Sequence, residues 1–325
     1  MAETTVIEAI RSTLAEEMGS DDRVFLLGED VEAGGVFRAT EGLARLFPGR
    51  VIDSPLAESG IVGISIGAAH YGLRPIAEIQ FADFIHSAFD QLCSEASRWC
   101  YRTSGDAFLP MVVRAPWGGG VHGGQHHSQS IEAYYAHMPG IKVVAPSFPA
   151  DYRSLLKAAI ADPNPVLFLE HKRTYRLIRQ DLSTATGETI IGKARITRTG
   201  GDLTIIAYGL MLHESLAAAE TLASEGIECT VVDLLTISPL DRETVLEAAK
   251  ATGKVLVVYE DTLTGGFGAE IAALIAEHAF EYLDAPVRRL AGPDIPSMPY
   301  HHVMEDFFMP NREKIAAAAR ELAAY

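Results

Sequence analysis

Cysteine is scarce: Cys93, Cys100 and Cys229 are the only three in 325 residues, an odd number with no CxxC spacing. That pattern argues against a disulfide framework or a zinc ribbon and suits a reducing compartment. Long apolar runs are missing as well, since none approaches the roughly 18 residues needed to cross a bilayer. The opening stretch "MAETTVIEAIRSTL" is acidic early and lacks the basic flank and long apolar core of a secretion signal. The expectation is a cytoplasmic protein. Basic side chains are outnumbered, 27 Lys and Arg against 43 Asp and Glu, for a formal net charge of −16. Such a surface repels phosphate backbones and anionic lipid, so neither nucleic acid nor membrane is an expected partner, while a basic protein segment would be attracted. No Pro/Ser/Gln-rich tract is present, which leaves no room for a long disordered region.

What is there is a large apolar content, 48% of the chain, enough for two ordinary cores. β-Branched apolar runs alternate with helical patterns: "RVFLLGED", "RVID", "RPIAEIQF", "MVVRAP", "IKVVAPS", "PVLFLE", "DLTIIAYG", "CTVVDLLT" and "KVLVVYED". Runs that are apolar throughout, rather than at alternate residues, predict strands covered on both faces, hence an α/β protein with parallel-type sheets. Thr5 and Glu8 make a capping box ahead of "VIEAIRSTLAEEM". Ser238-Pro239 is read as the start of the helix "LDRETVLEAAKA", with Gly253 closing it. The aperiodic polar segment from His171 to Thr189 separates two strand groups. It predicts two domains, residues 1–180 and 181–325.

The stretch "GGGVHGGQHHSQS", Gly118 to Ser130, holds five glycines and three histidines. Gly118, Gly120 and Gly123 satisfy GxGxxG, but a dinucleotide fingerprint also needs an acid at the end of the next strand, and "IKVVAPS" has none. His122, His126 and His127 lack the spacing and the companion ligands of a zinc site. Two readings remain, a mobile surface loop with incidental histidines and a catalytic loop approached closely by substrate. Its position after a strand, where open α/β sheets bind ligands, favours the second.

In "VIDSPLAESGIVGISIGAAHYG", Gly60, Gly63, Gly67 and Tyr71 fall on one face of a helix starting near Glu58. Each interior glycine costs about 1 kcal/mol against alanine. Close approach of another backbone would compensate, so the helix is expected to pack on its counterpart in a second copy of the chain. Glu58 then begins a helix beside that interface. It is either an ordinary first-turn acid, favoured by the helix dipole, or a buried proton carrier.

The chain resembles the β subunits of the thiamine-diphosphate-dependent 2-oxo acid dehydrogenases. The motifs run nearly end to end: "LLGEDV", "GGVF", "PLAESGIVG", "GLRPIAEIQFADF", "AFDQL", "RAPWGGG", "HSQS", "PGIKVVAPS", "PVLFLEHK", "SPLD", "TGGFGAEI" and "LDAPVRRLAGPD". The resemblance implies a pyrimidine-binding domain followed by a transketolase C-terminal-like domain. It also implies an assembly of two α and two β chains, and oxidative decarboxylation with acyl transfer to the lipoyl group of an acyltransferase component. By position, Glu58 corresponds to the glutamate that hydrogen-bonds the cofactor's aminopyrimidine. Leu56, Gln80 and Phe84 correspond to residues around that ring, and His127 to the histidine that assists acyl transfer. Positions matching a potassium site of backbone carbonyls are Leu109, Met111, Val112, Ala159, Asp162 and Asn164.

Thiamine-diphosphate enzymes hold the diphosphate through a metal bound at a GDG motif with a downstream Asn, and this chain has no GDG. The resemblance therefore assigns Mg2+ to the α subunit and predicts that this chain alone is silent. "EIQFADF" and "GVHGGQHHSQS" lean towards branched-chain substrates over pyruvate. The alternatives are an acetoin-cleaving relative, a non-catalytic scaffold subunit and, more remotely, a nicotinamide-dependent dehydrogenase.

Overall fold

Six of the apolar runs lie side by side in one parallel sheet, because strands that are hydrophobic on both faces must be covered on both. The computed structural model, which describes residues 3–184 and 189–325, orders them Lys142–Val144, Val166–His171, Val112–Trp117, Arg74–Glu78, Val24–Gly28 and Val51–Asp53. Leu26, Ile76, Val112 and Val166 stand in register across this sheet and are buried. Each such side chain contributes about 1.5–3 kcal/mol of burial.

The helix Val6–Ser20 starts at the expected capping box. Glu8 N–H donates to Thr5 Oγ1 at 3.3 Å, while Thr5 N–H donates to the Glu8 carboxylate at 2.8 Å. Its Val6, Ile10, Leu14 and Met18 make a buried stripe, and it packs on the helix Pro149–Ala161. Inside the sheet sits a buried ionic cluster. Arg114 donates to both oxygens of Glu170 at 2.6 and 2.9 Å and to Glu78 at 2.5 Å, and Tyr175 Oη donates to Glu170 at 2.6 Å. Burial works against the Arg114 cation, but the charges of Glu170 and Glu78 outweigh it and hold the guanidinium firmly protonated. Removing one member of such a cluster typically costs about 3–5 kcal/mol, because the others stay buried without a counter-charge.

Two compact units share the chain: residues to Trp117 with Tyr134–Ile191, and Gly118–Ala133 with Gly192–Tyr325. The second has a sheet ordered Arg288–Gly292, Val255–Thr262, Leu203–Ala207, Cys229–Asp233 and Arg195–Arg198. The first four strands are parallel and the last is antiparallel. All nine apolar runs named from the sequence are strands. The helix read as opening at Ser238-Pro239 is instead Arg242–Thr252. Asp241, whose side chain accepts the Thr244 N–H at 3.2 Å, caps it, because an aspartate can satisfy a first-turn amide and a proline cannot. Gly253 ends it at a φ of +67°, as expected.

The chain passes between the units at Ile191 and Gly192, beyond the polar segment from His171 to Thr189. Positions 185–188 of that segment lie outside the described residues. Among the described residues no helix is long and apolar enough to cross a membrane.

Candidate active site

In the first unit, Glu58 opens the helix Glu58–His70 after a short connection from the strand Val51–Asp53. Its side chain is buried, and its Oε2 accepts the Ser87 hydroxyl at 3.1 Å. Ser87 belongs to the 3₁₀ turn Ala82–Ala88, which packs on this helix and carries Phe84. Glu29, just beyond the strand Val24–Gly28, adds a second acid. Burial pushes its carboxyl above the usual range and the charge of Glu58 pushes it further, against a hydrogen bond from the Ala57 backbone. Glu58 thus has polar company in Ser87 and Glu29 despite the apolar Leu56, Ala57 and Ile61 that flank it in the sequence.

Gln80 leaves the C-terminal end of the strand Arg74–Glu78 and donates to Asp30 at 3.1 Å. Phe84 is half-buried, edge-on to Phe81 with centroids 6.0 Å apart. Leu56 is 82% exposed two residues before Glu58. The structure therefore brings Glu58 and the Phe84 turn together at the C-terminal edge of the parallel sheet. A partly open aromatic ring and an exposed leucine beside a buried acid fit a flat heterocycle that offers one polar edge.

The six residues matched to a potassium site lie at the opposite, N-terminal edge of the strands. Leu109 and Met111 run into the strand Val112–Trp117, whereas Ala159 lies in the last turn of the helix Pro149–Ala161, and Asp162 and Asn164 follow that helix towards Val166–His171. Three of these carbonyls already accept a backbone N–H: Leu109 from Met111 at 2.9 Å, Met111 from Val166 at 3.0 Å and Ala159 from Asp162 at 3.3 Å. The Asp162 carboxylate pairs with the Lys142 ammonium, a competing cation. Each carbonyl keeps a second lone pair. Among the described residues no three His, Cys, Asp or Glu side chains are grouped to hold a metal.

In the second unit, the glycine-histidine loop is held by the chain's own carboxylates. Gly119 N–H donates to Glu260, Gly120 N–H to Glu305 at 2.9 Å, and His122 N–H to both Glu305 oxygens at 3.2 Å. His122 Nδ1 lies 2.5 Å from Glu305. At Gly124 the chain itself asks for glycine, since φ is +64° and a Cβ would meet the Tyr300 ring at 2.8 Å, whereas a Cβ on Gly119 would press on the flexible end of Met298. His127 follows the 3₁₀ turn Gly124–His126, half-buried, with its N–H reaching the Gly124 carbonyl at 3.4 Å. His126 is exposed and bonds Gln125 at 2.9 Å, and His301 caps the helix His302–Phe308 from the surface.

Several acids in this unit escaped the sequence reading. Glu132 is fully buried and accepts the Tyr208 hydroxyl at 2.7 Å. Burial, reinforced by the neighbouring Asp261 charge, pushes its carboxyl up to about 8. Burial also raises Asp261, to about 6. A signal existed. "VVYED" puts Glu260 and Asp261 at the C-terminal end of an apolar parallel strand, the place where α/β sheets keep functional side chains.

The family description "Transketolase, pyrimidine binding domain" matches residues 2–178, and "Transketolase, C-terminal domain" matches residues 192–315. The chain is 55% identical to the 2-oxoisovalerate dehydrogenase subunit beta of Bacillus subtilis, with 100% of each chain covered. It is 43% identical to the pyruvate dehydrogenase E1 component subunit beta of the same organism, again over 100% of each. The 2-oxoisovalerate dehydrogenase subunit beta of Pseudomonas aeruginosa is 41% identical, covering 98% of this chain and 94% of that one. A solved structure titled "Split gene transketolase, inactive beta4 tetramer" shares the fold at a TM-score of 0.81 and 24% identity, covering 99% of both chains. With both halves of the chain matched and full-length relatives at 55% and 43% identity, the protein belongs to the β subunits of the thiamine-diphosphate-dependent 2-oxo acid dehydrogenases.

Proposed function

We propose that this chain, paired with an α subunit in a cytoplasmic assembly of two α and two β chains, decarboxylates branched-chain 2-oxo acids and passes the acyl group to a lipoyl-bearing acyltransferase. The observation that carries the reading is Glu58: a buried carboxyl at a helix start, oriented by Ser87 and set beside the half-buried Phe84. Its surroundings suit thiamine diphosphate, with Glu58 holding a proton at the pyrimidine edge and Phe84, Leu56 and Gln80 bounding the ring. When bound, the cofactor supplies the electron sink that loss of carbon dioxide from a 2-oxo acid requires. The diphosphate and Mg2+ fall to the α subunit. Leu109, Met111, Val112, Ala159, Asp162 and Asn164 would hold K+ through their carbonyls, as a brace for the sheet edge.

His127 is assigned the proton transfer that accompanies acyl passage to the lipoyl sulfur, since an imidazole ring carries one nitrogen that can donate and one that can accept. The helix Glu58–His70 is assigned to contact with a second copy of the chain. The branched-chain preference is supported by the 2-oxoisovalerate-type relatives, and pyruvate stays in the comparison because pyruvate-type relatives are close.

The test is dye-coupled decarboxylation by the chain co-purified with an α chain that carries GDG, supplied with thiamine diphosphate and Mg2+. Pyruvate, 3-methyl-2-oxobutanoate, 4-methyl-2-oxopentanoate and acetoin are the substrates. The branched acids should turn over fastest, and Glu58→Ala should lower the rate by about 10² or more, the usual contribution of a positioned proton-transfer group. Turnover unchanged in Glu58→Ala would instead make this chain a scaffold.

A further inference from the structure

Three backbone amides of the glycine-histidine loop, those of Gly119, Gly120 and His122, are taken up by two side chains far away in sequence, Glu260 and Glu305. Both carboxylates are 1% exposed, so they have given up water and these hydrogen bonds stand in its place. Bonds from N–H to an ionised oxygen are roughly twice as strong as neutral ones. The segment from Met298 to Met309 closes on the loop at two further points, with the ends of the Met298 and Met309 side chains against Gly119 and the Tyr300 ring against Gly124, where a Cβ would collide with the ring. His122 adopts a φ of +58°, a conformation that a residue with a side chain keeps only where its surroundings hold it. Its imidazole also reaches Glu305.

From Gly124 the backbone makes one 3₁₀ turn and arrives at His127, whose N–H points back to the Gly124 carbonyl. On the N-terminal side of the imidazole, the Glu305 bonds and the Tyr300 contact tie the loop to the rest of the unit. We propose that Glu305, assisted by Glu260, is a positioning residue for His127: it clasps the loop through the Gly120 and His122 amides and so sets where that imidazole stands. The proposal rests on the role assigned to His127 in acyl transfer. It adds a dependence of that step on the helix His302–Phe308, which touches neither substrate nor cofactor in this account.

The assembled enzyme is measured in two ways, by amide hydrogen exchange over residues 118–127 and by the ratio of lipoyl-dependent to dye-coupled turnover. Glu305→Ala should speed exchange at Gly120 and His122 at least tenfold and lower the lipoyl-dependent rate about tenfold more than the dye-coupled rate. Glu305→Gln, which keeps an acceptor oxygen of the same size, should recover much of both. Should Glu305→Ala fail to fold, Glu305→Asp, which keeps the charge but draws the carboxylate back by one methylene from the Gly120 and His122 amides, decides on the same readouts. Unchanged exchange overturns the clasp. Faster exchange with an unaltered rate ratio overturns the positioning role. His127→Asn is measured alongside: if it also leaves the ratio unaltered, the assignment of His127 has failed and the proposal falls with it, whereas a lowered ratio in His127→Asn alone places the failure in Glu305.

Discussion

Among single residues, Glu132 has the clearest consequence for behaviour in solution. Its carboxyl rises from about 4.5 when solvated to about 8 in the fold, first through burial and then through Asp261. Between those values the folded chain holds a proton that the unfolded chain releases, so stability falls as pH rises across the window. The contribution is fully present below about 4.5 and lost by about 8. Glu132→Gln replaces the protonated acid with a neutral isostere that can still accept from Tyr208. The melting temperature of this variant should therefore vary less between pH 5 and 8 than that of the parent, by a few degrees for a unit of this size. Parallel pH profiles for the two proteins would contradict the assigned titration. The residue was invisible in the sequence because "HSQSIEAY" offers no pattern that buries one glutamate, and its partners Tyr208 and Asp261 are distant in the chain.

The helix Glu58–His70 makes a test possible at the level of an element. A Cβ added to Gly63 or Gly67 would meet nothing within 4 Å in this chain, while Ile64 is 58% exposed and Tyr71 90% exposed. Within one chain the glycines are a pure cost, so Gly63→Ala should stabilise the isolated protein by about 0.5–1 kcal/mol in urea unfolding. If a second copy packs on that face, the same methyl should weaken self-association in sedimentation experiments. A variant that is both more stable and equally well associated would remove the helix from the interface. Elements of this kind were largely legible. Continuous apolar runs marked every strand named beforehand, and Thr5 with Glu8 marked the first helix, because strand burial and capping are local physics. The start at Asp241 was missed by a few residues, since Ser-Pro and Asp compete as helix openers and only the realised hydrogen bond decides. The attachment of Gly118–Ala133 to the second unit was not legible at all, since it depends on carboxylates more than a hundred residues away.

For the molecule as a whole, charge and ligand supply agree. A chain of net charge −16 that lacks GDG is not expected to neutralise a diphosphate by itself. Titration calorimetry with thiamine diphosphate and Mg2+ should give no tight binding to this chain alone and clear binding once an α chain is present. Tight binding without the partner would mean that the cofactor's anionic half is held here after all, by groups that neither the motifs nor the side-chain clusters point to.

The two units are also braided rather than strung in series: the polypeptide leaves the first at Trp117, lends sixteen residues, Gly118–Ala133, to the second, and returns at Tyr134. A gene for either half, cut at the later crossing alone, would carry the histidine loop away from the carboxylates that shape it. The halves can therefore be exchanged between relatives only with that excursion included, and a chimaera joined at Ile191 must inherit Gly118–Ala133 from the same parent as its C-terminal half.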